Sequence, residues 1–189
     1  MKRIFALCLC ALLLCAAALA EAAPEATVYD FDDFTIEVPA GAVVQQAGKA
    51  DGAAFFACYP NAGASGGLAD NYTISWMDDD FSISFANVDA TTLAQAYLDY
   101  TAGQNRAQGM TIENVQLLSA AYDASGQTLS AYATMDVDYA PLGINMALTL
   151  HQAFLFLDLG EHAGYILSFY ADDAQGLQAL IDSAAMQLA

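Results

Sequence analysis

The sequence predicts an α+β fold in which a single antiparallel β-sheet is flanked by helices in an α-β-α layered arrangement. One observation behind this prediction is a set of long segments that alternate apolar and polar residues, of which 129–139 is the clearest. A second is a pair of segments, one in mid-chain and one at the end, whose apolar residues recur at helical spacing. Strands with one apolar face need cover, and two amphipathic helices supply it.

Composition bounds the class of protein. The 189 residues carry 22 acidic against 4 basic side chains, and 57% of them are apolar. That apolar content predicts one folded domain rather than a disordered acidic tail. The formal net charge of −18 repels nucleic-acid phosphates and anionic lipid headgroups, so the sequence argues against both as primary partners.

Residues 1–20 are predicted to be a signal peptide, which places the protein outside the cytoplasm. Lys2 and Arg3 precede an apolar run over 4–18, and small residues lead up to Ala20 at the positions that a signal peptidase reads. The run is shorter than the roughly 20 residues of a membrane span, so a retained anchor is the alternative and not the main prediction. Lipidation at Cys15 is a further alternative, disfavoured because a leucine stands where that reaction wants a small residue.

Removal of the signal peptide leaves residues 21–27 as a mobile lead-in and 28–189 as a single folded domain. The processed chain keeps only Lys49 and Arg106 against all 22 acidic side chains, a formal net charge of −20. It also keeps only Cys58, so an internal disulfide is impossible. The apolar segment 55–59 around this thiol predicts a small buried side chain rather than a nucleophile.

The first half of the domain reads as strands. Residues 34–38 alternate and are closed by Pro39, and 53–59 form a second apolar strand. A glycine-rich stretch over 60–71 predicts an exposed loop. Beyond it, the alternation of 72–77 continues in 81–85 after a polar turn.

In the second half, Asp89 is the predicted N-cap of a helix, and strands are predicted over 115–122, 129–139, 144–157 and 165–169. The apolar phase slips at His151 and Gln152, which predicts a bulge or a strong twist there. Asp172 or Asp173 caps a closing helix whose apolar stripe is Leu177, Leu180, Ile181, Ala184 and Leu188.

This order of elements resembles the Mog1/PsbP-like fold family, which includes small exported bacterial proteins of the DcrB type. The resemblance is carried by the strand over 33–39, the helix around Leu93, Tyr97 and Tyr100, the long central hairpin and the closing helix over 177–188. It is a pattern of elements and transfers no functional residue. It implies a non-catalytic binding or assembly role, by analogy of fold alone.

Two acidic clusters are candidate calcium ligands. They comprise Asp30 and Asp32 near the start of the domain, and Asp78, Asp79 and Asp80 in the turn that follows residue 77. Calcium takes six or more oxygen ligands from carboxylates and carbonyls on turns, but the spacing is not that of an EF-hand. No other cofactor is predicted, and solvated carboxylates with loosely held counterions are the alternative.

A secreted hydrolase is a weaker alternative. The stretch 63–67 formally matches the G-x-S-x-G nucleophile elbow around Ser65, with His151 and His162 downstream. That elbow requires a strand that feeds directly into a helix, whereas here the motif lies in a loop that leads into a strand. The histidines could bind zinc only with a nearby third ligand such as Asp158 or Glu161, and we predict that the protein is not an enzyme.

The aromatic residues predict a binding surface. Trp76, Tyr132 and Tyr170 are candidate members, since Tyr132 falls on the polar face of its strand and Tyr170 falls opposite the apolar face of its own. Tyrosines on a polar sheet face bind proteins, peptides or sugars, although they can equally lie beneath a helix. The sequence therefore predicts a secreted, non-enzymatic binding or envelope-associated protein whose partner is a protein or cell-surface component.

Overall fold

Two antiparallel sheets and two α-helices make up the described part of the chain. The computed structural model describes residues 21–22, 25–31, 34–50, 53–60, 70–77, 88–125, 127–158, 164–184 and 187–188. The helices are α1 (Ala90–Ala107) and α2 (Ala174–Ser183). The strands are β1 (Glu21–Ala22), β2 (Thr27–Asp30), β3 (Phe34–Val38), β4 (Val43–Ala50), β5 (Ala53–Tyr59), β6 (Asn71–Met77), β7 (Thr111–Tyr122), β8 (Thr128–Asp138), β9 (Ala147–Asp158), β10 (Gly164–Ala171) and β11 (Gln187–Leu188).

The prediction of a single sheet is wrong. Eight strands form a large sheet in the order β1-β4-β5-β6-β10-β9-β8-β7, and the other three form a small sheet in the order β11-β3-β2. The alternation of β3 is real, because Phe34, Ile36 and Val38 are fully buried. These side chains pack against the large sheet, in a core between the two sheets. The ring of Phe34 meets that of Tyr165 in β10 edge-on, at 4.8 Å between centroids.

The small sheet and α2 together cover part of one face of the large sheet, over β5, β6, β10 and the end of β9. The hydroxyl of Tyr165 donates a hydrogen bond of 2.9 Å to the carbonyl of Phe31, which ties the two sheets together. The closing helix is shorter than predicted, since it ends at Ser183, and Leu188 lies in β11 opposite Phe34. The chain leaves the helix to complete the small sheet.

Helix α1 covers the opposite face of the large sheet. Its predicted N-cap is confirmed, because a carboxylate oxygen of Asp89 accepts a 2.9 Å hydrogen bond from the backbone N–H of Thr92. Ala94, Leu98 and Ala102 are buried against the sheet. The N-cap of α2 is Asp173, which accepts a 2.7 Å bond from the N–H of Gly176.

The predicted bulge at residues 151 and 152 is also wrong. Strands β8 and β9 pair without interruption from Thr128 opposite Leu157 to Asp138 opposite Ala147. The apolar phase slips because Gln152 is a polar residue buried on the α1 face, 1% exposed, and because the strand beyond it is covered on both faces. Irregularities lie instead between β7 and β8, where the register shifts twice, and between β4 and β5, where it shifts between Ala47 and Ala50.

The strand predicted to begin at residue 144 begins at Ala147. A short 3₁₀ helix, Ala140–Leu142, follows Tyr139, and Gly143 adopts a φ of 81°. Glycine populates this left-handed region without the steric cost of a Cβ, so the chain reverses here before the next strand starts. The predicted strand at 81–85 lies outside the described residues.

Candidate functional site

Half of the large sheet carries a face that neither α2 nor the small sheet covers fully. In β8, the residues from Leu129 to Val137 at odd positions are buried towards α1. The residues at even positions point the other way and reach solvent, fully or in part. We call this surface the open face; it comprises Ser130, Tyr132, Thr134, Asp136 and Asp138 of β8 with their β9 partners Leu155, Ala153, His151, Thr149 and Ala147.

Tyr132 borders a groove where the open face meets α2. Its side chain is 36% exposed, which is high for a tyrosine in the middle of an eleven-residue strand. The residue opposite it on β9 is Ala153, and that small side chain leaves room beside the ring. The groove has a volume of about 110 Å³. Its other walls are mostly apolar and come from Ser130, Leu155, Phe169, Ile181 and Ala184.

Asp136 is a fixed negative charge on the same face. One carboxylate oxygen accepts a 2.6 Å hydrogen bond from the side-chain amide of Asn114, and the other accepts 2.7 Å from the hydroxyl of Thr149. These two bonds, chiefly the one from Asn114, hold the pKa of Asp136 below its usual range. The carboxylate therefore stays ionised and keeps one orientation.

The local backbone explains how Asn114 reaches this carboxylate. Asn114 lies between the paired residues Glu113 and Gln116, at the first register shift of β7, with a φ of 47°. Asparagine tolerates this left-handed conformation better than most residues. Alternation placed Asp136 on the polar face, but no sequence signal marked the shift that brings Asn114 to it.

Tyr170 does not belong to the exposed surface. It is 8% exposed and lies in the core beneath α1 with Phe154 and Ile166. Its position opposite Tyr165, Leu167 and Phe169 was interpreted correctly, but both faces of β10 are covered. Of the two readings of these tyrosines, burial beneath a helix holds for Tyr170, and exposure holds for Tyr132. Trp76 is in β6, paired with Tyr165, and its side chain lies outside the described part.

Most of the predicted metal ligands lie outside the described residues. Asp32, Asp78, Asp79 and Asp80 lie outside the described residues. Asp30 is the last residue of β2 and pairs with Thr35. Across the described ranges, no group of three His, Cys, Asp or Glu side chains is placed to hold a metal ion.

Of the residues considered for a hydrolase or a zinc site, only His151 and Asp158 are among the described residues. Ser65 and His162 lie outside the described residues, as does Glu161, while Asp158 ends β9. His151 is half-buried on the open face, opposite Thr134 of β8 and Ala171 of β10. His151 lies two residues from the groove residue Ala153 in β9, so both are on the same face of that strand.

Cys58 is buried, as the sequence predicts. Burial raises the pKa of its thiol to about 11, with a smaller opposing effect from the neighbouring Tyr72, its partner across β5 and β6. A thiol of that pKa stays protonated at neutral pH and is a poor nucleophile. Within the described residues, it is a free cysteine.

A second group of carboxylates surrounds the start of α2. Burial, and then the charges of Asp172 and Asp173, raise the pKa of Asp70. Carboxylate oxygens of Asp70 and Asp173 both approach Gly176. None of these carboxylates lines the groove. Because their like charges lie close together, they destabilise this part of the fold at neutral pH.

Comparison with solved structures identifies the class of fold. The chain has a Mog1/PsbP-like fold, as the order of its elements predicted. No protein-family profile and no curated protein sequence matches it. Among the described helices, none combines the length and the apolar composition that crossing a bilayer requires.

Two structures illustrate the likeness. The solution structure of cyanobacterial PsbP (CyanoP) from Synechocystis sp. PCC 6803 is 12% identical; the match covers 93% of this chain and 99% of that one, with a TM-score of 0.55. The crystal structure of the Ran-binding protein Mog1p from Saccharomyces cerevisiae is 10% identical, with coverage of 88% and 96% and a TM-score of 0.48. At these identities the likeness concerns the fold.

Proposed function

We propose that this chain is a secreted, non-enzymatic binding protein that contacts a protein or cell-envelope component through the open face. The observation that carries the proposal is the exposed side chain of Tyr132 beside an apolar groove in the middle of a regular strand. A tyrosine offers a large rigid apolar surface with a polar tip, and such residues dominate the energetics of protein interfaces.

The arrangement suits binding better than catalysis. Asp136 is the most firmly held ionisable group of the open face, and its lowered pKa makes it a poor general base at neutral pH. The residues that line the groove are mostly apolar, and Ser130 and Tyr132 are the two among them that carry a hydroxyl. An apolar groove with a polar rim is the usual anatomy of a contact patch.

The secreted location rests on the predicted signal peptide. The lead from fold to function is an analogy of fold alone. The calcium-dependent alternative remains a prediction, because most of its ligands fall outside the described residues.

Capture from the cell envelope of the source organism tests the proposal. The complete sequence is expressed with export so that processing occurs, and the exported protein is immobilised. It is compared with Tyr132→Ala and with the control Val28→Ala. Val28 is an apolar residue that is 63% exposed in the small sheet, away from the groove. We expect a discrete partner with the wild type and the control but not with Tyr132→Ala. Equal capture by all three, or no capture at all, would contradict the proposal.

A further inference from the structure

We infer that the open face takes an extended, positively charged segment of a partner protein, with one apolar side chain in the groove and a Lys or Arg on Asp136. This inference rests on the proposed function and adds the chemistry of the partner. Two separate features carry it, the apolar groove at one end of the face and the fixed carboxylate at the other.

The groove has the size for one aliphatic side chain. Its volume is about 110 Å³, whereas an engineered apolar cavity of about 150 Å³ holds a benzene molecule. Leu155 and Ile181 line it from the sheet and from α2, and Tyr132 lies at its border. An aliphatic side chain that enters would remove its own surface and part of the tyrosine ring from water, which favours binding.

Asp136 is prepared to accept a cation. Each of its oxygens already accepts one hydrogen bond, from Asn114 and from Thr149, and each retains a further lone pair. Because those two bonds already fix the carboxylate, Asp136 loses little further side-chain entropy when a Lys or Arg pairs with it. Charge-assisted bonds of this kind are the strong ones, and they select partners by charge.

The spacing of the two features defines the shape of the segment. On the same face of β8, the groove residues Tyr132 and Ser130 lie four and six residues from Asp136, about 13 and 20 Å at the rise of a β-strand. An extended partner also places its residues i, i+4 and i+6 on one side, at those separations. Between them, Thr134 and His151 present polar groups to the intervening residue i+2.

Charge decides between the possible occupants. Glu113 and Asp138 add negative charge beside Asp136 on this side of the sheet. In the described residues, Lys49 is in β4 and Arg106 is in α1, where it donates two hydrogen bonds to the carbonyl of Ile112. An anionic surface or a second copy of this chain, at a net charge of −18, would therefore be repelled, whereas a basic segment is attracted.

Selection from a displayed library of random linear peptides tests the inference on the exported full-length chain. We expect enriched peptides to carry an apolar residue and a Lys or Arg four or six positions apart. For the best peptide, Asp136→Asn should weaken binding about tenfold at low salt, and Ser130→Phe, which fills the groove, should abolish it. The control Asp99→Asn, which alters an exposed carboxylate of α1 that accepts a bond from Gln95, should leave binding unchanged.

Enriched peptides without basic residues would overturn the inference, as would equal affinities for Asp136→Asn and Asp99→Asn. A dimer that forms through Tyr132 in sedimentation experiments would overturn it too. If envelope capture depends on Tyr132 but not on Asp136, the proposed function stands and this inference falls. If neither capture nor peptide selection yields a ligand, both fall.

Discussion

Replacing Gln152 with methionine should stabilise the protein. Gln152 is 1% exposed, and neither its amide nitrogen nor its amide oxygen has a hydrogen-bond partner within the described structure. Its neighbours along the α1 face of β9 are Leu150 and Phe154, which offer no polar group from their side chains. An unsatisfied buried polar group costs about 1–3 kcal/mol, and methionine has a similar shape without that cost.

For a chain of this length, 1 kcal/mol corresponds to about 2–4 °C in Tm, so Gln152→Met should raise Tm by at least about 2 °C. Urea unfolding followed by circular dichroism gives the free energy directly. Gln116→Met is the matched control, since Gln116 is exposed in β7 and should change stability by less than about 0.5 kcal/mol. A destabilised Gln152→Met variant with an unaffected control would refute the reasoning, because it would show that the amide forms bonds worth more than its burial costs.

Three further predictions concern the small sheet, the acidic start of α2 and the calcium alternative. Phe34→Ala should cost about 3–5 kcal/mol in urea unfolding, because it empties the fully buried contact between the two sheets; a loss below 1 kcal/mol would mean that the small sheet contributes little. Because the pKa of Asp70 is raised in the folded state, the stability that Asp70 contributes is fully present below the pKa of the unfolded state. That contribution is lost as the pH rises through the pKa of the folded state. Asp70→Asn should therefore raise the free energy of unfolding at pH 7, by less than about 1 kcal/mol since the site is partly exposed. Near pH 3 the variant should match the wild type in urea unfolding, and an equal difference at both pH values would contradict this. If the acidic turns bind calcium, excess calcium should raise Tm and chelator should lower it, and an unchanged Tm under both conditions would eliminate that alternative.

Local signals in the sequence predicted most of the elements, although they missed β4 and placed the start of β7 four residues too late. Asp89 was identifiable as an N-cap because its carboxylate satisfies a backbone donor only three residues away. The alternation of 129–139 was sufficient to place β8 to within one residue at each end. Such features depend on neighbours in the chain, which the sequence displays directly.

Features that depend on distant contacts were predicted less well. The alternation of β3 is the same whether it joins the large sheet or a separate one, so nothing in residues 34–38 indicated the small sheet. The same limit separates Tyr132 from Tyr170: each lies opposite an apolar strand face, and only the position of α1 decides that one is buried. Gln152 produced a wrong prediction because a buried glutamine breaks the apolar phase as a bulge would.

The two register shifts in β7 affect how this protein behaves at high concentration. β7 is the outermost strand of the described sheet, and a regular twelve-residue edge would be a template for pairing with other chains. The shift at Asn114 and the second one, between Leu117 and Ser119, bend that edge and break its hydrogen-bonding pattern into short stretches. The backbone is thereby discouraged from aggregating edge to edge, and recognition is left to the side chains of the open face.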